Sequence, residues 1–250
     1  MPEAQFSDYN PRDYPAVAVT VDMAVFTIRD SALRVLLVER GEEPFKGAWA
    51  LPGGFVRPDE DLDAAAAREL KEETGVTRRD AFLEQLGSYG SPRRDPRMRV
   101  ITVAYWAVCP ALARPTGGGD ATRAELVLVS RVEDRSIDLA FDHNEILGDA
   151  LERLRSKLEY TALGARFCPP TFTISELRRV YEAVWNTTLD PGNFQRNVRR
   201  SGSFEQARSG HALTGRRVGR PASVWSTRGR LSSPGRPLAT RHRSRGEDRG

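Results

Sequence analysis

Glu69, Glu72 and Glu73 stand at i, i+3 and i+4 in the stretch GFVRPDEDLDAAAARELKEETGV, residues 54–76. On a helix of 3.6 residues per turn these three carboxylates share one face. Like charges so spaced oppose one another by roughly 0.2–0.5 kcal/mol per pair. Arg68, four residues before Glu72, offsets part of that. Convergent carboxylates on rigid backbone suit a hard, oxygen-seeking cation such as Mg²⁺ (or Mn²⁺), especially where substrate phosphates complete the coordination. A solvated acidic helix face is the alternative for such a cluster, and the flanks weigh against it. Pro52-Gly53-Gly54 reads as a turn whose glycines let backbone approach a ligand closely. Asp61 can N-cap the helix, Leu62, Ala66 and Leu70 recur every four residues along it, and Gly75 ends it.

The elements that must hold this helix precede and follow it. Residues 16–28 alternate Val17, Val19 and Val21 with Ala18, Thr20 and Asp22, a strand pattern, and 32–38 reads as a second strand. Arg40, at its end, could meet a pyrophosphate oxygen or be a surface charge. Residues 48–51 form a short strand; Phe45 or Trp49 could stack on a base, with core packing the favoured role for Trp49. Strands are expected over 82–89, 100–108 and 126–132. The loop SPRRDPRMR between the first two gathers Arg93, Arg94 and Arg97, either facing an anion or solvated. Gly117-Gly118-Gly119 reads as a flexible turn. Asp142 and Glu145 have the spacing of a capping box at the start of a helix running to about residue 160, with Ile146, Ala150, Leu151, Leu154 and Leu158 on one face. A part for Asp142 in general-base chemistry is the lesser alternative, and His143 fits a structural or a functional role.

The chain has 250 residues, room for one or two domains, and a hydrophobic share of 39 % suffices for a core. A net charge of +4 hides an asymmetry: residues 191–250 carry 14 arginines against three acids, or +11, leaving −7 on the rest. An acidic front and a basic back suggest two tasks, the second facing a polyanion. Cys109 and Cys168 have no metal-binding spacing and point to a reducing compartment. The first residues, MPEAQFSDYNPRDYP, lack the apolar run of a secretion signal, and no stretch is apolar for long enough to span a membrane. Thirty-five arginines beside three lysines suggest a GC-rich genome, which is an inference about codons and not function.

Residues 161–170, ending in Pro169-Pro170, read as a linker. A second capping box, Thr173 with Glu176, then opens an amphipathic helix through Leu177, Val180, Tyr181, Val184 and Trp185. After a turn at 187–189, Asp190 caps a further helix with Pro191 at its first position. That helix buries Phe194 and Val198 and presents Asn193, Gln195, Arg196, Arg199 and Arg200, a helix-turn-helix pattern. Residues 204–207 and 222–226 read as the strands of a wing with Arg216, Arg217 and Arg220 at its tip. Residues 228–250, rich in Arg, Ser, Pro and Gly, are expected to be disordered.

Every fixed position of the Nudix box is present in 54–76: Gly54, Glu60, Arg68-Glu69-Leu70, Glu72-Glu73, Gly75 and Val76. With FTISELRRVYEAVWNTTLDPGNFQRNVRR behind it, and the AFDHNEIL and GRPASVW segments, the chain resembles the Nudix-related transcriptional regulators from about residue 14 to 226. The resemblance implies an α/β/α sandwich with a mixed sheet over 1–160, followed after the linker by a winged helix-turn-helix over 171–227. It implies a bacterial, cytoplasmic, nucleoid-associated homodimer that represses NAD-biosynthesis genes and senses ADP-ribose or a related NAD metabolite. Glu69, Glu72 and Glu73 would hold the metal, with Glu60 and Arg68 in the same catalytic set. Arg40, Phe45, Gly53, Gly54 and Arg94 would meet the ligand. Arg199 or Arg200 would read guanine, Asn193 or Gln195 adenine, and Arg216, Arg217 and Arg220 would hold phosphate or reach a minor groove, with Arg196 exposed on the same DNA-binding helix. Many repressors of this family carry a damaged box and this box is intact, so loss of hydrolysis does not follow. The arginine-rich tail lies outside the family pattern. An ADP-ribose pyrophosphatase with a basic nucleic-acid anchor is the alternative, and a wing argues against a mere anchor.

Overall fold

The computed structural model describes residues 10–78, 80–110, 112, 121–211 and 223–228. The glycine turn 117–119, the wing arginines 216, 217 and 220, and the tail beyond 228 lie outside them.

The strand β1 (Ala18–Arg29) is the spine of a seven-stranded mixed sheet. One edge pairs in parallel with β6 (Val100–Val108), from Ala18↔Val100 to Phe26↔Val108, and β5 (Phe82–Tyr89) lies antiparallel beyond it. The other edge changes partner. Its C-terminal part, Phe26–Arg29, pairs with β2 (Ala32–Arg40), which carries β3 (Trp49–Ala50) and β7 (Ala121–Leu128). Its N-terminal part, Thr20–Asp22, pairs with β4 (Gly53–Phe55). The sheet forks where β2 leaves and β4 joins.

The period-2 alternation of β1 separates two cores. Val21, Met23 and Val25 pack with Ala65, Ala66 and Leu70 of α1 (Leu62–Thr74). Ala24 and Phe26 face Ile146, Ala150, Leu154 and Leu158 of α3 (His143–Tyr160). This is the expected α/β/α sandwich. Asp61 caps α1, accepting from the Ala64 N–H at 2.7 Å, and Gly75 closes it in the left-handed region at φ 69°.

Several local expectations are corrected. Residues 126–132 are not one strand: β7 ends at Leu128 and Val129–Glu133 is a short helix, α2, whose Val129 and Val132 turn inward at i and i+3. Pro52-Gly53-Gly54 is not only a turn, because Gly53 and Gly54 begin β4. A Cβ on Gly53 would stand 2.2 Å from the Val21 carbonyl oxygen, so only glycine permits this pairing. The stretch read as a linker holds a 3₁₀ helix, Leu163–Phe167, with Ala162, Leu163 and Ala165 buried in the α3-side core.

That core continues into the C-terminal part. The β8 strand (Phe172–Thr173), α4 (Ile174–Trp185), α5 (Pro191–Ser201), β9 (Phe204–His211) and β10 (Ser223–Thr227) follow, with the strands ordered β8-β10-β9. The Thr173–Glu176 capping box forms as expected, and Asn186 ends α4 in the left-handed region. Leu177, Val180, Tyr181, Phe194 and Val198 belong to one buried cluster with α3. Tyr181 donates its hydroxyl to the Leu158 carbonyl at 2.9 Å, and Arg155 Nη2 donates to the Val184 carbonyl at 3.4 Å. Among the described residues no helix is long and apolar enough to cross a membrane.

Candidate ligand cleft and nucleic-acid interface

The fork in the sheet opens a cleft of about 450 Å³. Its walls are the end of β2 (Val38, Glu39, Arg40), the Gly53-Gly54-Phe55 strand, the acidic face of α1, the 94–97 loop and the start of α3 with Phe141 and His143. It unites Arg40, Gly53, Gly54, Arg68, Glu69, Glu72, Glu73 and Arg94, eight residues singled out above. Phe45 is outside its lining: it is exposed, at φ 65°, and meets Phe141 edge-on at 4.9 Å. Phe141 and the half-exposed Phe55 are the aromatic residues that line the cleft. Trp49 lies at the sheet edge with the Arg123 guanidinium 5.7 Å from its ring.

The carboxylates expected to hold a metal are not gathered into one cage. Arg68 pairs in two places with Glu60, at 2.6 and 3.0 Å, and reaches Glu69 at 2.6 Å and Glu72 at 3.3 Å. The expected Arg68–Glu72 pair is present, and the same guanidinium sits among the carboxylates. Among the described residues no group of three or more acids, histidines or cysteines is drawn together as an ion cage. The donors still fit a hard divalent cation: they are all carboxylate oxygens on one helix face beside an open cleft. The backbone makes room for one of them, because a Cβ on Gly54 would lie 2.3 Å from Glu69 Oε1. Burial pushes the Glu69 carboxyl above the usual range, opposed by Arg68 and reinforced by Glu72 and Glu60. Glu60 is held down at about 2, by its hydrogen bonds from Arg68 first and the Arg57 N–H second.

The floor holds a charged cluster that sequence reasoning missed. Arg94 is neither a free anion site nor solvated. It is buried, donates Nε and Nη2 to Asp142 at 2.8 and 2.7 Å, and reaches Asp22 at 3.2 Å. The capping box at Asp142 is corrected accordingly: its side chain caps nothing, because Arg94 takes both oxygens. His143 Nδ1 accepts from the Leu51 N–H at 2.9 Å, which leaves Nε2 facing Asp22 at 3.6 Å. Burial raises the Asp22 pKa, but His143 and Arg94 outweigh it and hold the carboxyl below its ordinary value. Removing one partner of such a buried set costs about 3–5 kcal/mol. The available signal was an aspartate inside the apolar run from Val21 to Phe26, since a buried acid needs a cation. Arg40 is also committed, donating Nε to the Pro44 carbonyl at 2.7 Å and lying 4.7 Å from the Phe141 ring centroid.

In the C-terminal part, Asp190 caps α5 through the Asn193 N–H at 2.7 Å, with Pro191 at its first position. Phe194 and Val198 face inward, while Asn193, Gln195, Arg196, Arg199 and Arg200 are all exposed. Arg196 hydrogen-bonds Asn193 on that surface. Gln195 and Arg199 share a groove with Ser175, Arg178 and Ser223.

Comparison with known proteins accords with both halves. The NUDIX domain model matches residues 19–149, and the model described as the NrtR DNA-binding winged helix domain matches 164–226. The chain is 38 % identical over 206 residues to the ADPR responsive transcriptional repressor NtrR of Acinetobacter baylyi, covering 82 % of this chain and 81 % of that one. It is similar to Shewanella oneidensis NrtR complexed with a 27mer DNA, at 31 % identity and TM-score 0.71, covering 88 % and 99 % of the two chains. It also resembles the NUDIX domain of that protein complexed with ADP ribose, at 35 % identity and TM-score 0.54, over 62 % of this chain and 99 % of the other. A forked-sheet cleft with a complete Nudix box, packed against a winged helix of NrtR type, places this chain in the NrtR family of Nudix-domain transcriptional regulators.

Proposed function

We propose that the protein is a ligand-responsive repressor, with ADP-ribose or a related NAD metabolite in the cleft and operator DNA on α5 and the wing. The similar proteins described as ADP-ribose-responsive, DNA-bound and ADP-ribose-bound support this reading. The observation that carries it is the single apolar core running from the Nudix sheet through α3 to α4 and α5. A catalytic domain with a tethered anchor would not need it.

In the cleft, Glu69, Glu72 and Glu73 would hold Mg²⁺ or Mn²⁺, which supplies Lewis-acid charge to a pyrophosphate when bound. Arg68, held by Glu60, and Arg57 add positive charge on the same wall, and Gly53 and Gly54 let the ligand approach backbone. On DNA, Arg199 and Arg200 would reach guanine edges, Asn193 and Gln195 adenine edges, and Arg196, Arg216, Arg217 and Arg220 phosphates. A homodimer would set two winged helices one helical turn, about 34 Å, apart or a multiple of it on a palindrome. The regulated genes would be those of NAD biosynthesis, at the bacterial nucleoid.

Titration of ADP-ribose into the protein, with and without operator DNA, tests the coupling. ADP-ribose lowers operator affinity in this reading, and operator lowers ADP-ribose affinity by the same factor, as linkage demands. Equal ADP-ribose affinities in the two titrations would refute it.

The intact box favours a second, compatible activity: hydrolysis of ADP-ribose to AMP and ribose 5-phosphate. Chromatography of ADP-ribose incubated with protein and Mg²⁺ decides it, and unchanged ADP-ribose would exclude it.

A further inference from the structure

Asp142 occupies the N-cap position of α3 and makes no cap. Two other aspartates at helix starts in this chain do cap: Asp61 accepts from Ala64 N–H and Asp190 from Asn193 N–H, each at 2.7 Å. Asp142 instead spends both oxygens on Arg94. The residue before it, Phe141, stands at φ 57°, a left-handed conformation that is costly for a bulky side chain. Its ring is gripped by Arg40, Phe45 and His143. Arg94, Phe141 and His143 all line the cleft. At its far end, α3 is joined to α4 by the Tyr181–Leu158 and Arg155–Val184 hydrogen bonds. A strained turn therefore lies between the cleft and a helix that ends on the DNA-binding part.

We propose that Asp142 is a positioning residue with two alternative partners, Arg94 and the uncapped first turn of α3, and that cleft occupancy decides between them. This rests on the repressor reading above. In this structure Arg94 serves two carboxylates, Asp22 and Asp142, and the first turn of α3 goes without a side-chain cap. A pyrophosphate entering the cleft adds a third claim on that guanidinium. Asp142, the carboxylate nearer the helix, is released and caps α3 as Asp61 caps α1. The Phe141 turn relaxes with it, the start of α3 is reset, and the change reaches α4 through the contacts at Leu158 and Arg155. A helix with two discrete starts is the kind of bistable element that coupling between sites requires.

Two substitutions separate this relay from a merely structural ion pair. Both Asp142→Asn and Asp142→Ala remove the charged two-point pair with Arg94, asparagine keeping a single acceptor oxygen that can cap the helix and alanine keeping none. Operator affinity is measured by fluorescence anisotropy for each full-length variant, with and without ADP-ribose. D142N is expected to bind operator about tenfold more weakly than wild type without ligand, within the usual range of allosteric coupling, and to respond little to ADP-ribose. D142A is expected to keep near wild-type operator affinity and also lose the response. The same phenotype in both variants, or a wild-type response in either, overturns the relay. If wild type itself ignores ADP-ribose, the repressor reading fails instead. Should an Asp142 variant not fold, Arg94→Lys loosens the two-point pair while keeping the charge. It is expected to move operator affinity in the direction of D142N, and unchanged affinity there overturns the relay as well.

Discussion

Replacing Tyr181 with phenylalanine tests whether the two parts of the chain fold as one unit. Leu158 lies in the last four residues of α3, so its carbonyl has no N–H partner within the helix. Its partner is the Tyr181 hydroxyl at 2.9 Å, and both residues are buried, at 0 % and 2 % exposure. Tyr181→Phe deletes that donor and leaves the carbonyl buried, a loss of about 1–3 kcal/mol. Relaxation offers little relief, because a Cβ on Gly164 would already lie 2.8 Å from the Tyr181 ring. A cost of about 2 kcal/mol lowers the folded-to-unfolded ratio roughly 30-fold. With a urea slope of about 2 kcal/mol/M, the midpoint falls by about 1 M at unchanged slope. Urea unfolding followed by tryptophan fluorescence reads this directly, since Trp106 reports on the sheet and Trp185 stacks on Tyr181 itself. An unchanged midpoint would show that the hydrogen bond contributes nothing net. Two separate transitions in the wild type would refute the continuous core on which the proposed coupling depends.

Other outcomes follow from the cleft and from α5. Glu73→Gln keeps size and removes one carboxylate charge; it should weaken Mg²⁺ binding in calorimetry and abolish any ADP-ribose hydrolysis, with the circular dichroism spectrum retained. Glu60 has a folded-state pKa depressed to about 2, so the stability it contributes is present above its unfolded value near 4.5 and is lost as pH falls toward 2. Thermal melts across that window should therefore show a shallower acid dependence in Glu60→Gln than in wild type. Arg199→Ala should weaken operator binding by about 1–3 kcal/mol and relax preference at a single base position if it reads guanine. A uniform loss over all sequences, with the salt slope reduced by about 0.9, would mark Arg199 as a phosphate contact instead.

The elements legible in the sequence are those whose causes are local. The start and stop of α1 are written in Asp61 and Gly75, the start of α4 in Thr173 and Glu176, and that of α5 in Asp190 and Pro191. The strands β5 and β6 span the residues expected from their sequence. The Nudix box is legible for the same reason: its spacing acts within one turn and one helix. The 129–133 segment misled because two valines at i and i+3 fit a short helix as readily as a strand.

Tertiary structure decided what depends on charge and distance. The sheet forks because β1 exchanges β2 for β4, and no local pattern in Gly53–Phe55 announces a strand. Arg94 and Asp142 are 48 positions apart, and Arg94 and Asp22 are 72 apart; only folding shows that the arginine is neutralised and that the aspartate leaves its helix uncapped. Phe45 is near the cleft in sequence but not on its wall, whereas Phe141, 96 positions away, is. Residues 161–170 read as a linker because they end in Pro169-Pro170 and the chain changes character after them. They pack because Ala162 and Leu163 meet the buried face of α3, and that apolar contact joins the cleft's helix to the DNA-binding part.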